Sequence, residues 1–499
     1  MIKQLAWRIP IGILAGLVGL YIFPTENIWA LAPLVPALVL IATLGLRFLP
    51  ALAIGFIAGQ AFYISHIEWL SLYLGPIPLI ALSTLMSIYF ALGVAVTAWL
   101  YLRLKPKKRG LLVFAFASAS IWTLREWLAS NFPYGGFPWS RLGMTQSDSF
   151  IAGYAWWGGI SLISFALAFI GAALALILLN LRKLKRKEAL VGFSAVAAVA
   201  AFPLATPYGL GLTQVGEIRI AAVQGNANAG LFSNLSRGTI LKNHLDATYQ
   251  NVSPESDVDL IVWPENAADL SPLYSDQARA EIEGLVETYG APITFGTITE
   301  RGGEVYNSTI FWEAEGPTDY YDKKRPVPFA EYVPDREFWR QFAPDLIDLV
   351  SRGYAFGTKD GIFETTDFVA GSLICFEIAE DDIPRGLALE GAQLILSQTN
   401  NADFGYSDET FQQAAIARLR AIETGRVVVN ISTVGLSAIY LPNGQVLDEL
   451  EWFTSAAMVQ EVPLYQGATP ATGLGLWFDA INATLAASFL ALGLRRRRR

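Results

Sequence analysis

The chain has 499 residues, 53% of them hydrophobic and 16% charged, a balance too apolar for an ordinary soluble protein and one that points to a membrane. Its formal net charge of -8 conceals basic clusters in the first half and five consecutive arginines at the end. With one cysteine and two histidines, an intrachain disulfide and a Cys/His zinc site of ordinary spacing are excluded by inventory, and Cys375 is either a small buried hydrophobe or a free thiol with a chemical task.

Apolar stretches near 9–24, 27–46, 49–67, 76–102, 110–128, 153–181 and 188–207 predict seven membrane spans, with an eighth at 473–494, at about 20 residues per crossing. The first is not read as a signal peptide, because no small-residue cleavage site follows and another apolar stretch begins at once. Lys3 and Arg8, Arg47, Arg103 to Arg109, Arg182 to Lys187 and Arg495 to Arg499 all fall on one side of these spans. If that side is the cytoplasm, the expected domains are a membrane domain at 1–211, an extracytoplasmic domain at 212–472, and a last span at 473–499 that returns the chain. The terminal arginines then anchor topology against anionic lipid and need no nucleic-acid partner. In "TLREWLASNFPYGGFPWSRLG", Arg125 and Glu126 sit where burying charge is costly unless it is paired. An interfacial loop with a snorkelling arginine and a lipid-substrate site both fit this stretch.

Beyond Thr213 short β-rich runs alternate with helical ones, the signature of an α/β domain. "EIRIAAVQGN" (217–226) predicts a strand, 233–250 an amphipathic helix, and "DLIVWPENA" (259–267) a strand running into a turn. A helix near 274–289 leads to strands near 292–299 and 305–314. "YYDKKRPVPFAEYVP" (320–334) is too rich in proline for a regular helix or a central strand. Strands follow at "FVAGSLICFE" (368–377) and "AQLILSQTN" (392–400), then a helix over 408–425 and strands near 427–441 and 457–463.

Open α/β sheets present their chemistry at the carboxyl ends of strands. Glu265 directly follows "LIVWP", Cys375 directly follows "GSLI", and the segment between them carries lysines and Glu331. A thiol attacks only as its thiolate, and with histidine so scarce Glu265 is the available base. Asp381 or Asp382 is expected to cap a helix starting near Ile383 and Pro384, whose positive end would favour the thiolate of Cys375. A lysine cation with a backbone N–H would hold the oxyanion of a tetrahedral intermediate. Taken singly, each residue has a plain role: cysteine in an apolar strand is usually core, and lysine doublets are usually surface.

As an ordered set these residues resemble the carbon-nitrogen hydrolase (nitrilase) superfamily, which uses a Glu-Lys-Cys triad on an α-β-β-α sandwich. The whole chain is similar to the bacterial apolipoprotein N-acyltransferase family, with its multispan α-helical membrane domain joined to an α/β nitrilase-like domain. The family pattern Tyr-x-Lys-x-x-Leu-Val-Pro-Phe-Gly-Glu-Tyr-Val-Pro appears as "YDKKRPVPFAEYVP", which selects Lys323 over Lys324 and makes Glu331 a supporting glutamate. "VWPE" gives Glu265 as base, "ICFE" gives Cys375 as nucleophile with Glu377 as a nearby acid, and "GFPW" (136–139) matches the membrane half. The chain departs from the pattern at Pro326, Ala330 and Phe376, and at Asp403 in "TNNADFG", where an aromatic is expected.

The resemblance implies acyl transfer in two steps, from a membrane phospholipid to Cys375 as a thioester, then to the α-amino group of a diacylated apolipoprotein. Ping-pong kinetics would follow. It implies an integral membrane protein, acting as a monomer, with no metal or dissociable cofactor. The rival readings are a membrane-bound nitrilase-like amidase with water as acceptor, a transporter or receptor with an external ligand-binding domain, and a relative that has drifted toward another acceptor. "REFWRQFAPDLIDLV" (336–350), with its aromatics among charges, is expected either to be a mobile arm at the headgroups or to pack as a surface helix.

Overall fold

The fold is that of a computed structural model, which describes residues 5–107, 110–230, 233–234, 236–350 and 352–496. Of the basic residues counted for orientation, Lys3, Lys108, Arg109 and residues 497–499 lie outside the described ones. The chain divides into two compact units, Met1–Pro207 with Leu474–Arg499, and Tyr208–Gly473.

In the first unit, among the described residues, six helices are long and apolar enough to cross a membrane: Phe48–His66, Pro76–Leu104, Leu111–Asn131, Phe150–Asn180, Arg186–Ala205 and Trp477–Arg495. The first two predicted spans are shorter, Arg8–Ile22 and Trp29–Thr43. Each is broken, the second at Pro33 between a 3-10 turn and the helix Leu34–Thr43. Fifteen helical residues rise only about 22 Å, less than the about 30 Å of a hydrocarbon core. Small residues let the helices approach closely: a Cβ at Gly171 would stand 2.3 Å from the carbonyl oxygen of Pro33.

Arg125 and Glu126 are both buried, and the arginine does not snorkel. Its guanidinium donates to Tyr63 Oη at 3.0 Å and lies over the rings of Trp122 and Phe90, 4.1 and 4.7 Å from their centroids. Glu126 Oε1 accepts from Arg125 at 3.3 Å, from Trp122 Nε1 at 2.8 Å and from the backbone N–H of Leu142 at 3.1 Å. The pair therefore ties the helix Leu111–Asn131 to the 3-10 turn Leu142–Gln146 that follows the "GFPW" loop. The charge is neutralised by a local partner, as buried ions require.

Among its described residues the second unit holds two six-stranded sheets. One contains β1 (Leu212–Gln224), β2 (Leu260–Val262), β3 (Ile293–Arg301), β4 (Glu304–Glu313), β5 (Gly316–Asp322) and β12 (Ala456–Gly467), in the order β12-β1-β2-β3-β4-β5. The other contains β6 (Ile362–Glu364), β7 (Val369–Ile374), β8 (Leu394–Thr399), β9 (Val427–Ser432), β10 (Ser437–Tyr440) and β11 (Val446–Leu450), in the order β11-β10-β9-β8-β7-β6.

The period-2 alternation of the strands builds the layers. Ile218, Ile220 and Ala222 of β1, with Leu260 and Val262 of β2, face the second sheet and meet Leu394, Leu396, Val427 and Val429. The intervening Ala221, Val223 and Ile261, with Trp263, face the helices Thr239–Asn251 and Asp276–Tyr289. The helices Asp382–Leu389 and Glu409–Thr424 pack with the other sheet, completing an α-β-β-α sandwich as the resemblance implies. β2 is shorter than its predicted span because Pro264 cannot continue the ladder. The helix predicted from 233 starts at Thr239, after Gly238 at φ +86°. Segment 336–350 folds as two short helices, Arg336–Arg340 and Pro344–Leu349, joined by ion pairs from Arg336 and Arg340 to Asp348, with Phe338 and Phe342 exposed.

Candidate active site

Strands β1, β2 and β3 run parallel, as do β7, β8 and β9. Their carboxyl ends deliver the polar residues. Glu265 stands three residues past β2, in a turn where Asn266 takes φ +55°. That turn presses on β3 at Gly296, where a Cβ would lie 2.5 Å from both Glu265 Cα and the nitrogen of Asn266. Only glycine leaves room for the glutamate's backbone. The buried Glu265 carboxylate accepts from Asn307 Nδ2 at 2.7 Å and from the backbone N–H of Asn400, just beyond β8, at 2.9 Å.

Lys323 follows β5 and is 1% exposed. Its backbone N–H donates to Asn307 O at 2.9 Å, and its Nζ stands 2.8 Å from Glu331 Oε2 and 3.9 Å from Glu265 Oε1. Glu331 closes its own loop, accepting from the backbone N–H of Val327 at 2.7 Å and from Asn307 Nδ2 at 3.1 Å. One asparagine amide thus spans both carboxylates that flank the lysine. Burial alone would lower the Lys323 pKa, but Glu331, Cys375 and Glu265 together hold it above the ordinary lysine value, so it is a permanent cation. Burial pushes the Glu265 carboxyl up, against the opposing pull of Lys323.

Cys375 is the first residue after β7 and takes φ +55°, a left-handed backbone conformation rare for a residue with a side chain, as it opens the 3-10 turn Cys375–Ala379. The thiol is pushed up by burial and then by Glu265, with Lys323 opposing, so sulfur, carboxylate and ammonium share one electrostatic field. Glu377, fully buried, fastens the turn to the lysine segment. Its carboxylate accepts from the N–H of Ile374 at 2.8 Å, of Lys324 at 2.7 Å and of Arg325 at 3.1 Å, and from Tyr321 Oη at 2.9 Å. Beneath the site, Gln398 joins the sheets through Trp263 O at 2.6 Å and Ser372 Oγ at 3.1 Å.

All five residues singled out by the sequence therefore come together: Glu265, Lys323, Glu331, Cys375 and Glu377. The helix expected to favour the thiolate does not serve as predicted. It spans Asp382–Leu389, beyond the 3-10 turn, and no side chain caps it. Asp381 accepts instead from Arg420 at 2.8 Å and Asp382 pairs with Arg325 at 2.5 Å, because charged partners within reach outcompete the helix end. His244 is a core residue against Trp263, held neutral by burial with its pKa lowered to about 4. Asn307 and Asn400, which hold the Glu265 carboxylate, and Gln413, whose Nε2 lies 3.9 Å from Cys375 Sγ, carry no sequence signal of a place in the site. Asp403, in the 3-10 turn Ala402–Phe404, is half-buried and raised to about 6 by burial and then by the charge of Glu265.

Known proteins match the same two halves. Residues 15–173 match the apolipoprotein N-acyltransferase N-terminal domain, and residues 219–468 match the carbon-nitrogen hydrolase domain. The chain is 32% identical over 503 residues to the apolipoprotein N-acyltransferase of Azotobacter vinelandii, covering 95% of this chain and 92% of that protein. It is 31% identical over 472 residues to the apolipoprotein N-acyltransferase of Mycolicibacterium smegmatis, covering 88% and 76%. Among solved structures, an amidase from Nesterenkonia sp. AN1 in complex with acrylamide is 19% identical with a TM-score of 0.39, covering 51% of this chain and 94% of that one. With one relative 32% identical and matched over 92% of its length, and both domains found in order, the chain belongs to the apolipoprotein N-acyltransferase family.

Proposed function

We propose that the protein moves a fatty acyl chain from a membrane phospholipid to the N-terminal α-amino group of a diacylated apolipoprotein, by way of a thioester on Cys375. The observation that carries this reading is the Lys323 ammonium, walled from water between Glu331 and Glu265 and sharing its field with the chain's one thiol.

Glu265 takes the thiol proton as the sulfur attacks the donor ester. A carboxylate whose pKa is raised by burial is a stronger base than an exposed one. The negative charge that develops on the former carbonyl oxygen is met by the Lys323 cation, which Glu331 holds in place. As the ester C–O bond breaks, Glu265 returns the proton to the departing lysophospholipid oxygen. The acceptor amine then attacks the thioester carbon, Glu265 takes its proton and passes it to the departing sulfur as the C–S bond breaks, and the amide forms with the thiol and carboxylate restored. One site serves two bulky lipids because it handles them in turn.

Intact-mass measurement of the purified chain after incubation with phospholipid tests this. An acyl-sized, hydroxylamine-labile adduct is expected on the wild type and none on Cys375→Ala. A diacylated lipopeptide should then discharge the adduct as amide. Discharge to free fatty acid alone would favour water as the acceptor, and absence of any adduct would overturn the reading.

A further inference from the structure

The Cys375 sulfur has a neighbour that the steps above leave unused. Gln413, on the helix Glu409–Thr424 and 1% exposed, places its Nε2 3.9 Å from Sγ. The other end of that amide fixes its orientation. Gln413 Oε1 accepts from Asn401 Nδ2 at 2.7 Å and from Thr399 Oγ1 at 2.9 Å, so the N–H end is the one that faces the sulfur. Asn401 is fixed in turn. Its Oδ1 accepts from Ser432 Oγ at 2.5 Å, leaving Nδ2 to serve Gln413 and Glu409 Oε2, the latter at 2.6 Å. Ser432 Oγ accepts from the backbone N–H of Gly435 at 2.8 Å, which directs its own hydrogen toward Asn401. A line of donors therefore runs from a backbone N–H through Ser432, Asn401 and Gln413, every side chain of it buried, and ends on the sulfur. Hydrogen bonds aligned in this way polarise one another.

The sulfur needs such a donor. Burial and the carboxylates of Glu265, Glu409 and Glu331 all resist its ionisation, and among charged side chains Lys323 opposes them. A hydrogen bond that strengthens when its acceptor becomes charged favours the charged form. We propose that Gln413 is the second group, with Lys323, that holds the Cys375 sulfur as it takes negative charge, and that Ser432 and Asn401 act through it by fixing its amide. This assignment rests on Cys375 being the nucleophile. It adds no reactant: the thiol proton still passes to Glu265, and the electron pair left on sulfur is what Gln413 stabilises until the bond to the acyl carbon forms.

Because the chain has a single cysteine, alkylation by iodoacetamide of the full-length protein in detergent reports this thiol alone. Its rate as a function of pH gives the ionisation midpoint. Gln413→Glu keeps an acceptor for Asn401 and Thr399 but replaces the N–H by an oxygen, and Gln413→Met keeps the shape with no donor. Both should move the midpoint upward, the Glu variant further, and alkylation at a fixed pH below the wild-type midpoint should fall about tenfold for every pH unit by which the midpoint rises. Ser432→Ala, which leaves the amide in place but free to turn, should move it the same way by less. A wild-type midpoint in every variant that retains cooperative thermal unfolding would overturn the proposal. Acylation by phospholipid, read separately by mass, keeps the two conclusions distinct: normal alkylation without acyl transfer defeats the proposed function alone, and normal acylation with unmoved midpoints defeats this inference alone.

Discussion

Glu377 governs the site without facing the reaction. Its carboxylate collects the N–H groups of Ile374, Lys324 and Arg325 and the hydroxyl of Tyr321, so the turn carrying the sulfur and the segment carrying the lysine share one buried anchor. An amide offers one acceptor oxygen where the carboxylate offers two, and each buried donor left unpaired costs about 1–3 kcal/mol. Glu377→Gln should therefore slow acyl-enzyme formation by about a hundredfold through lost alignment, with little change in donor KM; single-turnover mass analysis reads both. Asp403 shows the opposite situation, a carboxyl kept near Glu265 at a cost to stability. Its pKa rises from 3.8 to about 6, burial being the larger cause, so between those values the folded chain binds more protons than the unfolded one and stability falls as pH rises. Asp403→Asn should raise Tm at pH 7 by ~2–4 °C, and the gain should vanish below about pH 4; calorimetry at the two pH values decides it. Glu265 and Cys375 were legible because each ends an apolar run, whereas Lys323 follows the polar strand β5 and was legible only through the family pattern in "YDKKRPVPFAEYVP". Asn307 was not, since a polar residue inside "EVYNSTIFWE" reads as the wet face of a strand, and only the pairing of β4 with β5 brings it beside Lys323.

The elements that were legible are those with apolar alternation or long helical periods: β1, β2, β3, β4, β7, β8, β9, β12 and the helices Thr239–Asn251, Asp276–Tyr289 and Glu409–Thr424. Those missed are β5, β6 and β11. β5 and β11 are mostly exposed or interrupted by proline, and all three are edge strands, where the sheet tolerates what would break a central strand. The two broken helices at the start of the chain were read as full spans because mean hydropathy runs on through the break, although Pro33 marks the second one in the sequence. Element packing also sets the base. The turn after β2 lies on β3 so closely that Gly296→Ala would drive a methyl into the backbone of Glu265 and Asn266, atoms that cannot rotate away. The substitution should move the Glu265 carboxylate off its donors Asn307 and Asn400 and lower the acylation rate by about a hundredfold. Cys375 alkylation should survive more than acylation does, because the sulfur, Gln413 and Lys323 are held by β7, the helix Glu409–Thr424 and β5. Equal loss of both would show instead that the whole sandwich had been disturbed.

At the scale of the molecule, the distribution of charge is a statement about sidedness. Short loops rich in lysine and arginine stay on the cytoplasmic face because moving them across the membrane is unfavourable. Both proposed substrates carry their reactive groups at the outer leaflet, so the acylation chemistry is accessible only if the unit Tyr208–Gly473 lies on the far side from those loops. Replacing Cys375 by alanine removes the one native thiol and allows a single cysteine to report each side. Glu315 is exposed in the turn between β4 and β5, and Lys183 is exposed after the long helix ending at Asn180. In intact cells expressing the chain, a membrane-impermeant maleimide should label Glu315→Cys fully and Lys183→Cys only after permeabilisation. The reverse pattern would place the catalytic unit in the cytoplasm, where the acceptor's amino group is not presented, and the positive-inside reading of this chain would fall with it.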